Sequence, residues 1–373
     1  MIKKIYIGIL LFLLVAGTGS TYAQKIKIGN YTFKDGAEYS GEMTSGKPQG
    51  KGRTVFKNGD IYEGEYVKGR RQGYGVYMFT DGERYEGQWF QDQQHGKGAY
   101  YFMNNNHYEG LWFRDYQQGQ GTMFYYNGDI YKGDWRGDKR HGKGTYTFAN
   151  GAYYKGDWVD DKKSGRGVFD WSDGSKYEGE WSNNQRNGRG SFRYSDGDYY
   201  IGEWKDDIQN GKGIYKFRNG DIYEGDYAQG ERTGEGVFTF ANGNKYVGHF
   251  LNGEQDGFGT FTWKNGAVYE GDWAKNERNG RGKYTWKGGD IYTGEWKDGE
   301  MDGEGILRLA NGEKFKGQFK NGKKNGKGIE EYKDGSRFEG FFKNGVKDGP
   351  FVDMDRNGNV TRRGTYKNGI LSQ

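Results

Sequence analysis

An aromatic-x-Gly-x-hydrophobic motif returns every 23 residues along this chain, starting at Tyr39, Tyr62, Tyr85 and Tyr108 and ending at Phe315 and Phe338. The step never slips over fourteen copies. Each copy is then one supersecondary unit, which buries its apolar side only by stacking on its neighbours. Eleven residues after each anchor stands a Gly-x-Gly pair (Gly142 and Gly144 in the fifth unit), then two alternate positions that are usually aromatic (Tyr146, Phe148), then Asn-Gly or Asp-Gly (Asn150-Gly151). Most of the 70 glycines fall in four fixed columns: the anchor motif, both members of the pair, and the turn. So much glycine suggests low complexity, but 32 Tyr, 23 Phe and 11 Trp are too many for a solvated disordered chain. The Gly-x-Gly is no phosphate cradle either, since a loop precedes it and a strand follows, with no helix to receive the anion.

Gly144 to Phe148 and Ala152 to Trp158 alternate large apolar with polar residues, the period of a half-buried strand, and the Asn-Gly between them marks a hairpin. A two-residue turn would mix the faces. A three-residue loop, Ala149-Asn150-Gly151 with a left-handed Gly, sets Tyr146 opposite Tyr154. One face then carries Gly142, Gly144, Tyr146, Phe148, Tyr154, Gly156 and Trp158; the other carries Thr145, Thr147, Lys155 and Asp157. The next connection, Val159 to Ser164, reads as a six-residue loop. A regular hairpin there places Trp158 between Gly142 and Gly165, with the indole covering backbone that has no side chain of its own.

Trp89, Trp112, Trp135, Trp158, Trp181, Trp204, Trp273 and Trp296 sit four residues after an anchor, and Trp171, Trp263 and Trp286 sit in the second aromatic column. All fall on the same face. The row of eight has two readings, a structural cover for glycine and a surface that contacts a partner, and in a one-layer sheet the rings stay partly exposed. The fold class expected is all-β: an elongated, twisted single-layer antiparallel sheet of tandem hairpins.

The unit YKGDWRGDKRHGKGTYTFANGAY (Tyr131 to Tyr153) closely resembles the membrane occupation and recognition nexus, or MORN, repeat. The likeness runs over residues 39–360, with a half unit at 24–38 (Gly29, Tyr31, Phe33, Asp35-Gly36); the far end drifts, with Pro350-Phe351 after Gly349 in place of x-Gly and, in a divergent unit at 361–373, the motif Arg362-x-Gly364-x-Tyr366 arriving one residue late. The resemblance implies an elongated antiparallel sheet of hairpins. It also implies binding roles: a proposed affinity for phospholipids, as the name records, besides protein contacts and dimerisation. In junctophilins and plant phosphatidylinositol phosphate kinases, catalysis or membrane spanning belongs to other segments.

Residues 1–23, with Lys3 and Lys4 ahead of an apolar run from Ile5 to Ala16 and a small-residue end at Ala23, read as a signal peptide cleaved before Gln24. The run is shorter than the roughly 20 apolar residues that an anchor helix needs. Export to the periplasm, the envelope or the outside follows. Cysteine is absent, so disulfides and attachment through a lipidated cysteine are excluded.

The formal charge of +5 falls by two with Lys3 and Lys4, and both signs alternate through every unit, unlike the basic stripe of a nucleic-acid binder. Four scattered histidines and no cysteine serve triad or metal chemistry poorly. Glu63, Glu86, Glu178 and Glu224 repeat at one position as a solvated strand face rather than an acid/base pair. No cofactor, metal site or catalytic residue is expected, and an enzyme is the remote alternative. A scaffold that binds a protein partner or itself is the favoured reading. Weak binding of anionic lipid is the alternative, through basic loops at Arg70-Arg71, Lys139-Arg140, Lys162-Lys163 and Lys323-Lys324, whose neighbouring acids dilute the field.

Overall fold

The structure, a computed structural model, describes residues 25–372. The leader expected at residues 1–23 lies outside them. The described residues contain no helix and form two units. Residues 25–126 make nine strands, from Lys27–Thr32 to Tyr116–Phe124; residues 127–372 make twenty-two, from Ile130–Arg136 to Ile370–Ser372. Within each unit every strand pairs antiparallel with its neighbours in sequence, so consecutive hairpins share one layer.

The hairpin at Asn150-Gly151 has the register expected of a three-residue loop. Tyr146 faces Tyr154, Gly144 faces Gly156, and Gly142 faces Trp158. Gly151 has φ 88°, and its N–H donates to Phe148 O at 2.9 Å. The Asn150 side chain accepts from Ala152 N at 3.0 Å, satisfying an amide that the loop frees.

The second connection differs from the six-residue loop expected. Lys162–Asp170 is one nine-residue strand, and the turn is only Asp160-Asp161, with φ 46° and 68°. Left-handed backbone at both positions is a type I′ turn, which suits the twist of the flanking strands. The surplus residues form a bulge further along: Gly156 pairs Gly167 but Asp157 pairs Ser164, leaving Gly165 and Arg166 without partners in the ladder. Trp158 therefore faces Lys163 and not Gly165. Gly165, at φ 61°, takes the backbone angle of the bulge, and the freed Arg166 N–H is accepted by Asp157 Oδ2 at 2.9 Å. The same device recurs where Asp134 accepts from Lys143 N and Asp272 from Arg281 N, both at 2.8 Å.

Both ends of the hairpins are stitched to the next repeat. At the type I′ end, Asp161 Oδ1 accepts from Arg140 N at 3.1 Å, and Asp161 N donates to Arg140 O at 3.0 Å. At the other end, Asp129 accepts from Ala149 N at 2.9 Å and from the Tyr146 hydroxyl at 2.7 Å. Burial alone would raise the carboxyl of Asp129, but these donors and Asn127 hold it below its ordinary value. The fourteenth repeat is repacked: Gly340 faces Phe351 rather than a glycine, and Phe338 lies flat on that ring, 5.3 Å away at 18°.

Because these contacts join each repeat only to its neighbours, removing one whole repeat, residues 177–199, should leave a folded chain whose flanking repeats re-join in register. Removing eleven residues, which breaks the register, should not. Circular dichroism of the two deletions checks this: loss of β signal in the whole-repeat deletion would count against nearest-neighbour stability.

Candidate interaction faces

The glycine columns are covered, but by the anchor tyrosines and not by the tryptophans. A Cβ on Gly167 would overlap the Tyr154 ring, lying 2.6 Å from its Cζ, and a Cβ on Gly156 would lie 2.5 Å from Gly167 Cα. Tyr154 thus lies flat on a floor of two paired glycines, with its hydroxyl donating to Asp157 O at 3.0 Å. The tryptophans stand edge-on between these tyrosines. The Trp158 ring is 5.2 Å from Tyr154 at 87° and 5.4 Å from Tyr131 at 81°, and its Nε1 donates to Gly144 O at 3.2 Å. Edge-to-face stacking at these separations is the favoured aromatic geometry.

The expectation of partly exposed indoles is not met. Trp89, Trp112, Trp135, Trp158, Trp181, Trp204, Trp273 and Trp296 are 4–7% exposed. A second layer of side chains seals them. Arg71 lies 4.3 Å from the Trp89 ring, Arg140 4.5 Å from Trp158, Lys163 4.3 Å from Trp181 and Arg186 4.4 Å from Trp204. Of the four glutamines in this column, Gln94, Gln117 and Gln255 are themselves buried and Gln209 is half-buried. Trp171, Trp263 and Trp286, in the other column, are half-buried.

These cations are half of the basic pairs read as loops. All four pairs are the first two residues of strands. The second member turns onto the aromatic face: Arg71, Arg140, Lys163 and Lys324 each cover rings, and Arg140 Nη2 also donates to Asp161 O at 3.0 Å. The first member, Arg70, Lys139, Lys162 or Lys323, is exposed on the opposite side. Lys163 makes no ion pair, and burial against Trp181, Phe169 and Tyr154 pushes its amine down to about 8.

Replacing Trp158 by Ala should therefore cost about 3–5 kcal/mol, the range for a fully buried aromatic. It removes ring contacts with Tyr131, Tyr146 and Tyr154, the Arg140 guanidinium contact and one hydrogen bond in mid-unit. Hydrogen exchange should show lost amide protection in the repeats of Tyr131 and Tyr154, with remote repeats little changed. Unchanged exchange there would contradict the structural role.

The polar face has a different shape. Its side chains stand in rows that run across successive strands, and between two of those rows lies the backbone of the paired glycines, whose side-chain positions face the aromatic side. Open troughs result. One, about 600 Å³, is floored by Gly213, Gly225 and Gly236; another, about 610 Å³, by Gly271, Gly282, Gly294 and Gly305; a third, about 490 Å³, by Gly52 and Gly64. Some charges along the rows are paired across strands, as in Arg53–Glu63 at 2.9 Å and Lys212–Asp226 at 2.6 Å. The histidines are scattered: His95 lies between Phe90 and Phe113, His107 on Phe124, His141 near Asp160, and His249 on Asp256 O. Among the described residues no three acidic or histidine side chains converge to hold a metal.

The MORN-repeat family model matches residues 39–350 as fourteen consecutive segments, each beginning at an anchor aromatic. The chain belongs to the MORN-repeat family. No curated protein sequence matches it. Solved structures that bear some likeness include the TCP domain of Drosophila melanogaster SAS-4, crystallised with a proline-rich motif of Ana2, at 14% identity over 42% of this chain and 85% of that one, with a TM-score of 0.28. The TCP10 domain of Danio rerio CPAP is 15% identical over 66% of this chain and 92% of its own, with a TM-score of 0.18. Likenesses this distant carry no argument about function.

MORN repeats are generally non-catalytic and are associated with protein and membrane-lipid interactions. In this MORN protein the residue class that sequence reasoning missed is the pair of rows flanking the troughs, above all Ile201, Ile214, Val237 and Val247. A signal was present for Ile201 and Val247, an aliphatic residue where other repeats place Glu, Lys, Thr or Ser, but not for Ile214 and Val237, whose column also holds Val76, Val168, Ile306 and Ile329.

Proposed function

We propose that this MORN protein is an exported, non-catalytic scaffold whose contact surface is the polar face with its troughs. One observation supports this reading: the tryptophans are 4–7% exposed beneath a layer of cations and glutamines, so their faces are spent within the fold, while the opposite face keeps open hollows. A long surface that repeats its shape suits a large or extended partner. The test is capture of partners from an envelope extract by the chain lacking residues 1–23, comparing substitutions on the two faces. Polar-face changes should abolish capture, and a conservative Trp204→Phe should leave it intact. The reverse pattern would overturn the assignment of faces. Export is tested by the amino terminus of protein recovered from cell fractions, expected at Gln24.

Anionic lipid is the weaker reading. Only one residue of each basic pair is exposed, and acids such as Asp138 and Asp160 are exposed or ion-paired beside them. The expected result is slight sedimentation with anionic vesicles, lost as salt rises through physiological strength, where the screening length is about 8 Å. Tight, salt-resistant sedimentation would favour a membrane role.

A further inference from the structure

Within residues 127–372 one trough departs from the rest of the polar face. Five successive strands place Ile201, Ile214, Glu224, Val237 and Val247 in a single row, each opposite the next. Ile201 and Val247 are 45% and 43% exposed, large values for aliphatic side chains that nothing in the fold requires to be there. Lys212 and Glu235 form the other wall, and Gly213, Gly225 and Gly236 the floor. Lys212 is held by Asp226 at 2.6 Å. Glu224 and Glu235 make no ion pair; in the column of Glu224, Glu178 and Glu270 are likewise without one, while Glu63, Glu86 and Glu339 each have a cation within 3.5 Å, so what sets this trough apart is a carboxylate flanked in its row by aliphatic side chains.

We propose that this trough binds an amphipathic helix of a partner protein, one that presents aliphatic side chains on either side of a lysine or arginine. The proposal rests on the scaffold reading above and names the chemistry of its partner. Any occupant that covers the four aliphatic residues must also desolvate Glu224 in their midst, and a buried carboxylate without a cation costs several kcal/mol. A cation opposite Glu224 is therefore required. A second copy of this chain related by a two-fold axis through the row sets Glu224 against Glu224, and an anionic membrane meets the same repulsion. Spacing favours a helix. Rows advance about 4.8 Å per strand, close to the 5.4 Å pitch of a helix lying along them and far from the roughly 6.7 Å between same-face residues of an extended segment. The row spans roughly 19 Å, the length of about 13 helical residues.

Fluorescence anisotropy with synthetic probes tests this on the chain lacking residues 1–23. The probes are a labelled amphipathic leucine/lysine helix of about 18 residues, its leucine/glutamate counterpart, and a lysine-only peptide of equal charge. The leucine/lysine helix should bind, and Glu224→Lys or the pair Ile214→Ser and Val237→Ser should each weaken it by about tenfold or more. Glu270→Lys, in the trough lined by both signs of charge, should leave binding unchanged. Glu224→Gln, which keeps the shape, should give an intermediate loss with an unaltered circular dichroism spectrum. Equal binding of the lysine-only peptide, equal loss with Glu270→Lys, or a chain dimer that Glu224→Lys disrupts would each overturn the proposal. If partner capture from envelope extract survives Glu224→Lys while the leucine/lysine helix fails to bind, the scaffold reading stands and this one falls.

Discussion

Raising the pH from 10 to about 11.5 should unfold this protein cooperatively. Twelve anchor tyrosines, from Tyr39 to Tyr292, are fully buried. Burial, with smaller contributions from charged neighbours, pushes the phenol of Tyr39 up to about 12 and those of Tyr62, Tyr154, Tyr177 and Tyr200 further above the ordinary value. The unfolded chain releases these protons near pH 10 and the folded chain retains them. The stability they confer is therefore complete below pH 10 and falls as pH rises through the folded values. Each buried phenol contributes a slope of up to about 1.4 kcal/mol per pH unit, and the slopes of neighbouring repeats act together. Lys163 works in the opposite sense. Its depressed value, about 8, makes stability rise between about pH 8 and the unfolded value near 10.4, but it is one group against the ten anchor tyrosines whose phenols are raised. Phenolate absorbance and loss of β circular dichroism should coincide. Phenolate forming near pH 10 with the β signal intact would show that the anchors are open to water.

Gly167→Ala should destabilise more than any substitution at a turn glycine. Gly167 has no unusual φ, so the added methyl is penalised entirely by space: it overlaps the Tyr154 ring, which must leave. The loss then approaches that of deleting a buried aromatic, about 4 kcal/mol. Gly174, in the following turn, has open space around it but φ 86°, so Gly174→Ala meets only the left-handed backbone penalty, about 1–2 kcal/mol. Denaturant melts of the two variants give the order. The pair Gly167→Ala and Tyr154→Ala should cost well under the sum of the single changes, because the first already evicts the ring that the second removes. Additive costs would mean that ring and glycine floor do not meet.

The repeat length, the three-residue hairpin and the division into an aromatic and a polar face are all local properties. Alternation assigns the face of Tyr146, Tyr154 and Trp158, and Asn150-Gly151 sets the register between them, so both could be read without knowing any distant contact. The bulge could not. A connection from Val159 to Ser164 is compatible with a loop or with a type I′ turn followed by extra strand residues, and the choice depends on how Gly156 meets Gly167 across the sheet. A local hint existed in Asp160-Asp161 and Asn183-Asn184, residues that tolerate left-handed backbone, at the same column in each repeat.

What covers what was decided by tertiary structure alone. Anchor tyrosine and tryptophan both lie on the aromatic face, but only the paired bulge and ladder put Tyr154 flat on Gly156 and Gly167 and turn Trp158 edge-on beside it. Lys139 and Arg140 look alike as a basic pair. Consecutive strand residues point to opposite faces, so one reaches water and the other closes over an indole one strand away. The troughs follow from the same alternation: they lie between rows of polar-face side chains, over the backbone of residues whose side-chain positions belong to the aromatic face.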